Sequence, residues 1–182
     1  NDVEAGGHFT DTVCHGGWPM DDHHSGGFHS PEFKRQATIF HPAPSPYGIP
    51  LRVLCSRNID NLMFAGRCAS FTHMAMSSAR VMGTCAVMGQ AAGTAAAVAV
   101  RQGIGPREAV ERAVPEIQRF LYEDDVLMPG IPPALPDGVH EVRLIASRGN
   151  PEVLRDGVTR PEEGNTHRWD CAPGDFVEYR FA

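Results

Sequence analysis

The chain has 182 residues, and its 16 lysine and arginine residues against 22 aspartate and glutamate residues give a formal net charge of −6. This mildly acidic balance argues against a nucleic-acid-binding protein. Hydrophobic residues make up 42% of the chain, which is enough for a packed core and excludes a wholly disordered chain. The five cysteines are odd in number and have no CxxC spacing, which argues against a structural zinc site or a dense disulfide framework.

Residues 1–60 are rich in glycine, proline and histidine, and the prolines at 42, 44, 46 and 50 exclude a helix there. We expect a long irregular connection with one or two strands, one of them near Ala37–Phe40. The run Asp21–His24 carries carboxylate and imidazole groups, which bind divalent metals. Adjacent ligands rarely converge on one ion without help from elsewhere, so we predict no metal site.

Residues 61–104 have the pattern of a βα unit. The apolar run 61–66 predicts a buried strand that ends at a glycine, and residues 67–79 predict a polar loop. Residues 81–100 are apolar on all sides and predict a long buried helix, with Gly103 as its C-terminal cap.

The apolar helix over 81–100 has three interpretations. A membrane span fits the length and the GxxxG sequence at 89–93, but the dominance of alanine and the polar residues disfavour insertion, so we predict no membrane span. A core helix is the second interpretation. The third is a cofactor site, because a helix N-terminus offers unpaired N–H groups and partial positive charge, and Gly83 leaves its first turn accessible.

Residues 105–129 predict amphipathic helices, with Pro106 at the first helical position and Pro115 restarting the helix. Residues 130–137 form a proline-rich linker and a candidate boundary. Residues 138–182 predict a β-rich tail, with strand-like patches at Val139–Ile145 and Asp175–Phe181.

Several segments together resemble the C-terminal part of FAD-dependent oxidoreductases, over about residues 10 to 112. The wider relatives include the fumarate reductase flavoproteins. The matching segments are Gly17–His23, Pro46–Arg52, Phe64–Arg67, Thr72–His73, Ser77–Met82 and Gly89–Ala96.

The resemblance implies an α/β fold in which residues 61–129 close a Rossmann-like FAD domain and residues 1–60 belong to a substrate domain and the return to the FAD domain. It implies FAD as the cofactor and hydride transfer between an organic substrate and the flavin. By resemblance the flavin contacts are Gly66 and Arg67 near the ribityl chain, and Met82, Gly83, Thr84 and Cys85 near the O2/N1 edge. By resemblance the substrate-side residues are Asp22, His23, His73 and Arg80, of which the histidines are natural proton carriers.

The dinucleotide fingerprint GxGxxG is absent from the sequence. We therefore expect the chain to be the C-terminal portion of a larger bacterial polypeptide, whose N-terminal FAD-binding portion is its partner. Alone, it is expected to bind FAD weakly or not at all.

The tail segment Ala146–Val158, followed by His167–Trp169, resembles the opening of discoidin-like galactose-binding β-sandwiches. That resemblance implies a carbohydrate partner and a sugar or polyol as the small-molecule substrate. The alternatives are a non-catalytic carbohydrate-binding or assembly module, or a small membrane-associated protein built on the apolar helix.

Overall fold

The computed structural model describes residues 2–34, 36–158 and 166–181. The chain forms two compact units, Asn1–Ile131 and Pro132–Ala182. Their boundary lies inside the proline-rich segment 130–137. The assignment of the units to a substrate domain, an FAD domain and a β tail stays a prediction.

Short antiparallel pairs make up the strands of the first unit. Strand β1 (Thr12–Gly16) pairs with β4 (Tyr47–Pro50), and β2 (Met20–Asp22) pairs with β3 (Ile39–His41). All four residues of β4 are buried, because the β1–β4 pair belongs to the hydrophobic core of the unit. The prolines of this region fall between strands or at a strand end, where no ladder hydrogen bond is lost.

Four helices follow, and Gly103 and Pro106 occupy the helix-end positions expected from the sequence. Gly103 has φ +67° and ends the long helix, where the left-handed conformation favours glycine. Pro106 begins the next helix, because its missing N–H would be unpaired there in any case. The helices are α1 (His73–Ala79), α2 (Met82–Gln102), α3 (Pro106–Arg112) and α4 (Val114–Glu123).

One face of α2 forms the centre of the hydrophobic core. The β1–β4 strand pair and helices α3 and α4 pack against this face. Ile117 and Leu121 of α4, one turn apart, are fully buried, as the i, i+4 spacing predicts. The buried residues of α2 are Thr84, Met88, Ala91, Ala95, Val98 and Ala99.

The opposite face of α2 is exposed in the part of the chain that the structure describes, so the predicted long buried helix is buried along one face only. Val100 is exposed, and a Cβ added at Gly89 or Gly93 would meet no atom within 4 Å. The sequence could not separate the two faces, because alanine and glycine occupy both of them.

Two further predictions are wrong. Residues 61–66 form no strand; Met63 makes only an isolated antiparallel bridge with Cys55. A strand needs a neighbour along its whole length, and the described residues offer only the turn around Cys55. Residues 73–79 are helical rather than a loop, since the Thr72 hydroxyl accepts a hydrogen bond from the Ala75 N–H at 3.4 Å and caps the helix.

The second unit contains one two-stranded antiparallel sheet. Strand β5 (Arg143–Ala146) pairs with β6 (Val177–Arg180). β5 overlaps the end of the first predicted patch, and β6 lies within the second. None of the described residues of this unit is buried. The resemblance of 146–169 to a β-sandwich stays a prediction, and its residues 159–165 lie outside the described residues.

Helix α2 is long and apolar enough to cross a membrane, judged by length and composition alone. The core helix of a soluble protein passes the same test, so one such helix is weak evidence for a membrane span. Its buried face belongs to the core described above.

Candidate functional site

A cavity of about 420 Å³ lies between β2 and α1. Helix α1 and strand β2 are in direct contact, which brings residues 51 or more positions apart in sequence to one place. The lining residues are Asp21, His23, Phe71, His73, Met76, Ser77 and Arg80.

Helix α1 presents one face to this cavity. His73, Met76, Ser77 and Arg80 follow the spacing i, i+3, i+4 and i+7, which places them on one side of a helix. Arg80 is the C-terminal cap residue of α1, so its side chain extends this face. The sequence therefore contained a signal for the cavity, which the loop interpretation of residues 67–79 concealed.

His73 is paired with Asp22 of β2. The distance from His73 Nε2 to Asp22 Oδ1 is 2.7 Å. The Asp22 side chain is only 15% exposed, whereas that of His73 is 70% exposed. An ionised carboxylate only accepts hydrogen bonds, so Nε2 carries the proton and donates a hydrogen bond to Asp22.

Asp21 binds two of the other polar residues of the cavity. Its Oδ2 accepts a hydrogen bond from Arg80 Nη2 at 3.1 Å and lies 3.4 Å from His23 Nε2. Arg80 Nη2 also donates to the Asp21 backbone carbonyl at 3.1 Å. Asp21 Oδ1 is buried and has no hydrogen-bond partner among the described residues.

A buried polar network fixes α1 against the strands. Ser78 of α1 donates its hydroxyl proton to the Trp18 carbonyl, and the Tyr47 hydroxyl lies 2.6 Å from Ser78 Oγ. Burial raises the pKa of the Tyr47 hydroxyl, so it stays protonated and able to donate. A Cβ built on Gly16 would lie 2.3 Å from this hydroxyl. A larger residue at position 16 would therefore clash with the Tyr47 ring.

The N-terminus of α2 is accessible. Its cap residue is Val81, whose side chain makes no hydrogen bond to the first N–H groups of the helix. Met82 is 85% exposed, and a Cβ at Gly83 would meet no atom within 4 Å. Thr84 is buried, and Cys85 is half-buried. The end of this helix therefore has room for a planar or anionic group.

Gly66 and Arg67 lie beside this helix end. Gly66 has φ +59°, and a Cβ built on it would lie 3.4 Å from the Cβ of Cys85. Arg67 Nε donates to the Arg80 carbonyl at 3.4 Å. Cys85 Sγ lies 3.4 Å from the same carbonyl. Four residues expected at a flavin or substrate, Gly66, Arg67, Arg80 and Cys85, are thus neighbours.

Arg80 joins the two features. Its side chain lines the cavity, and its backbone, one residue before the Val81 cap, contacts Arg67 and Cys85. The structure thus brings His23, His73 and Arg80 to one cavity, with Asp22 behind His73, next to the N-terminus of α2. Their roles as catalytic or flavin-binding residues stay predictions.

Sequence reasoning missed Asp21 as a cavity residue, and it also missed the support from Tyr47 and Ser78. Asp21 appeared only as one of four adjacent candidate metal ligands, because its contact with Arg80 crosses 59 positions. In the described ranges, no three His, Cys, Asp or Glu side chains are grouped so that they could hold a metal ion.

Comparison with known proteins gives one family. A family model described as "FAD dependent oxidoreductase" matches residues 1–121, which is more than half of the chain. No curated protein and no solved structure matches.

Proposed function

This chain belongs to the FAD-dependent oxidoreductases, and on that basis we propose that its first unit supplies the substrate cavity and one edge of the flavin site. The family makes the protein an oxidoreductase with FAD as its cofactor.

The residues at the N-terminus of α2 fit a flavin ring edge. The open space at Gly83 and the exposure of Met82 leave the first helical N–H groups accessible. A side chain at position 66 would fill the space beside Cys85. Because Gly66 has no side chain, a ligand can approach the backbone closely at this point. We infer that Met82, Gly83 and Thr84 would offer N–H groups to the O2/N1 edge, with Gly66, Arg67 and Cys85 alongside.

FAD, when bound, accepts or donates a hydride. The residues of this chain would then stabilise negative charge and hold or move protons. The partial positive charge of the α2 N-terminus and the Arg80 guanidinium favour negative charge at the flavin edge. His73, oriented by Asp22, and His23, next to Asp21, are the groups that can hold or move a proton in the cavity.

We infer that additional polypeptide, beyond the residues of this sequence, completes the flavin site. The chain has no GxGxxG segment to bind the FAD pyrophosphate. The exposed face of α2, with Gly89 and Gly93 open to close approach, is suited to packing against further elements of a Rossmann-like domain. The sugar or polyol substrate and the carbohydrate-binding tail remain proposals that rest on the tail resemblance.

The observation that carries the proposal is the position of Arg80, which lines the cavity and immediately precedes the exposed N-terminus of α2. If Arg80 acts on the flavin, Arg80→Gln in the flavin-loaded enzyme will lower the two-electron midpoint potential by about 30 mV, the equivalent of ~1.4 kcal/mol. The reason is that the reduced flavin loses a stabilising positive charge.

Arg101→Gln is the matched control, because Arg101 lies in the last turn of the same helix and its side chain pairs with Glu116. We expect its potential to equal that of the unmodified enzyme. Equal potentials for both variants and the unmodified enzyme would contradict the proposal, and a lower potential in Arg101→Gln alone would do so as well.

A further inference from the structure

The fixed charges around the cavity do not favour an anionic substrate. Asp21 and Asp22 carry two negative charges, and Arg80 carries the single fixed positive charge among the residues that line or support the cavity. The Arg80 guanidinium is already engaged by the side chain and the carbonyl of Asp21. A substrate carboxylate would have to displace Asp21 from Arg80 and would then face the uncompensated, half-buried carboxylate of Asp21.

The same groups suit a neutral hydroxyl compound. Asp21 lines the cavity, and its carboxylate can accept a hydrogen bond from a substrate hydroxyl. Ser77 lines the cavity, and its hydroxyl donates to the Met74 carbonyl at 2.6 Å, which leaves the oxygen lone pairs as acceptors. Phe71 and Met76 add apolar wall against the C–H groups of such a compound.

The geometry of the His73–Asp22 pair prepares one ring nitrogen as a base. Asp22 accepts a hydrogen bond from the Nε2–H group, and this fixes the tautomer in which Nδ1 carries a lone pair. Asp22 does not line the cavity, whereas His73 does. The carboxylate therefore lies behind the ring and the accessible imidazole lies in front of it, an arrangement that orients a general base.

We propose that His73, positioned by Asp22, takes the hydroxyl proton of a neutral alcohol substrate of the polyol class in this cavity. This inference rests on the proposed function, because the oxidant is the FAD of the family. The O–H proton passes to His73 Nδ1, the C–H bond breaks with its electron pair going as hydride to the oxidised flavin, and the carbon–oxygen bond becomes a carbonyl. His73 is the catalytic residue and Asp22 the positioning residue.

The first test needs no flavin. Nitrogen-15 NMR of the histidine-labelled full chain, with the His73 signals assigned by their loss in His73→Gln, reports which ring nitrogen bears the proton. We expect the Nε2–H tautomer, and a mixture of tautomers in Asp22→Ala. Asp22→Asn keeps an acceptor oxygen and is expected to retain most of the preference. An Nδ1–H tautomer in the unmodified chain would overturn the proposal.

The second test separates neutral from anionic substrates, with D-glucitol and D-gluconate as matched six-carbon probes. We expect D-glucitol to shift the His73 Nδ1 signal at concentrations at least about tenfold lower than D-gluconate, since the carboxylate meets Asp21. Equal affinities, tighter binding of D-gluconate, or no shift with either probe would overturn the substrate class.

The third test uses the flavin-loaded enzyme with a polyol that reduces its flavin. We expect His73→Ala to slow flavin reduction about 100-fold or more, to leave the midpoint potential unchanged, and to regain activity with added imidazole. Unchanged reduction, or loss without rescue, contradicts the base assignment. If Arg80→Gln leaves the potential unchanged while the His73 results hold, the flavin proposal fails and the assignment of His73 as the base stands.

Discussion

The two units of this chain differ in how they are held together. The first unit, Asn1–Ile131, has a continuous core in which Leu51, Leu54, Ile117 and Leu121 are fully buried. The second unit, Pro132–Ala182, has no buried residue among those described, and its exposed aromatic side chains include Phe176 and Phe181. A two-stranded sheet without a core is marginal in water.

Polar contacts hold the second unit. Arg155 donates to the carbonyls of Val139 and Val142 and pairs with Glu152, and the Trp169 indole donates to the Arg148 carbonyl at 2.7 Å. Catalytic groups need fixed positions, and fixed positions need packed surroundings. The comparison therefore supports the assignment of the chemistry to the first unit.

Thiol reactivity is expected to give the largest contrast between the units. Burial raises the pKa of the Cys14 thiol to about 12, and Cys14 is fully inaccessible, whereas Cys171 of the second unit is exposed. At pH 8 the thiolate fraction of Cys14 is about one in ten thousand. With a thiol reagent and peptide mass spectrometry, we expect Cys171 to react at least about a thousandfold faster. Comparable rates would mean that the first unit opens readily.

Leucine truncation should separate the units by stability. Leu121→Ala removes a fully buried side chain, and the expected loss in the free energy of unfolding is about 2–5 kcal/mol. The matched change Leu154→Ala removes a side chain that is 42% exposed, and the expected loss is less than about 0.5 kcal/mol. Urea unfolding followed by circular dichroism measures both. A loss for Leu154→Ala as large as for Leu121→Ala would show a core in the second unit.

Acid should weaken the first unit through Asp11. Burial acts to raise the pKa of the Asp11 carboxyl, but the hydrogen bonds and charge of Arg52 outweigh it and hold that pKa below its ordinary value. A depressed pKa stabilises the folded state above the unfolded-state value of 3.8 and ceases to do so as the pH falls through the folded-state pKa. Asp11→Asn should therefore cost about 1–2 kcal/mol at pH 7 and much less at pH 3.

Urea unfolding at the two pH values checks this prediction. Asp175→Asn, in the second unit, is the control and should leave the main unfolding transition unchanged at both pH values, because its partners are surface groups of that unit. A cost of Asp11→Asn that is the same at pH 3 as at pH 7 would contradict the ion-pair account.

The smallest global effect is expected from Arg155→Gln. Its hydrogen bonds lie within the second unit, so its loss should speed proteolysis after residue 132 without moving the melting temperature of the first unit. Limited proteolysis and differential scanning calorimetry measure the two effects. Proteolysis at the unmodified rate would show that Arg155 does not hold this unit.

Sequence reasoning succeeded where the determinants are local. Gly103 and Pro106 fix the ends of their helices through their own backbone preferences, and both predictions are confirmed. The strand over 61–66 failed because strand formation depends on a partner that a single segment cannot reveal. Helix α1 was missed although its cap Thr72 was visible, because its seven residues show too few apolar positions to display a period.

The candidate site shows the same division. His73 and Arg80 were reached through family resemblance, and the i, i+7 spacing that places them on one helix face was in the sequence. The pairs that give these residues their chemistry, Asp22 with His73 and Asp21 with Arg80, join positions 51 and 59 apart. Only the packing of α1 on β2 brings them together, so local patterns could not predict them.

The account depends most on the flavin edge lying at the N-terminus of α2, beside the His73 cavity. A crystal structure of the flavin-loaded enzyme measures this directly. We predict that the O2 atom of the ring lies within about 3.2 Å of a backbone nitrogen of Met82, Gly83 or Thr84, a hydrogen-bond distance. A ring bound elsewhere, with this helix end covered by polypeptide, would contradict the account.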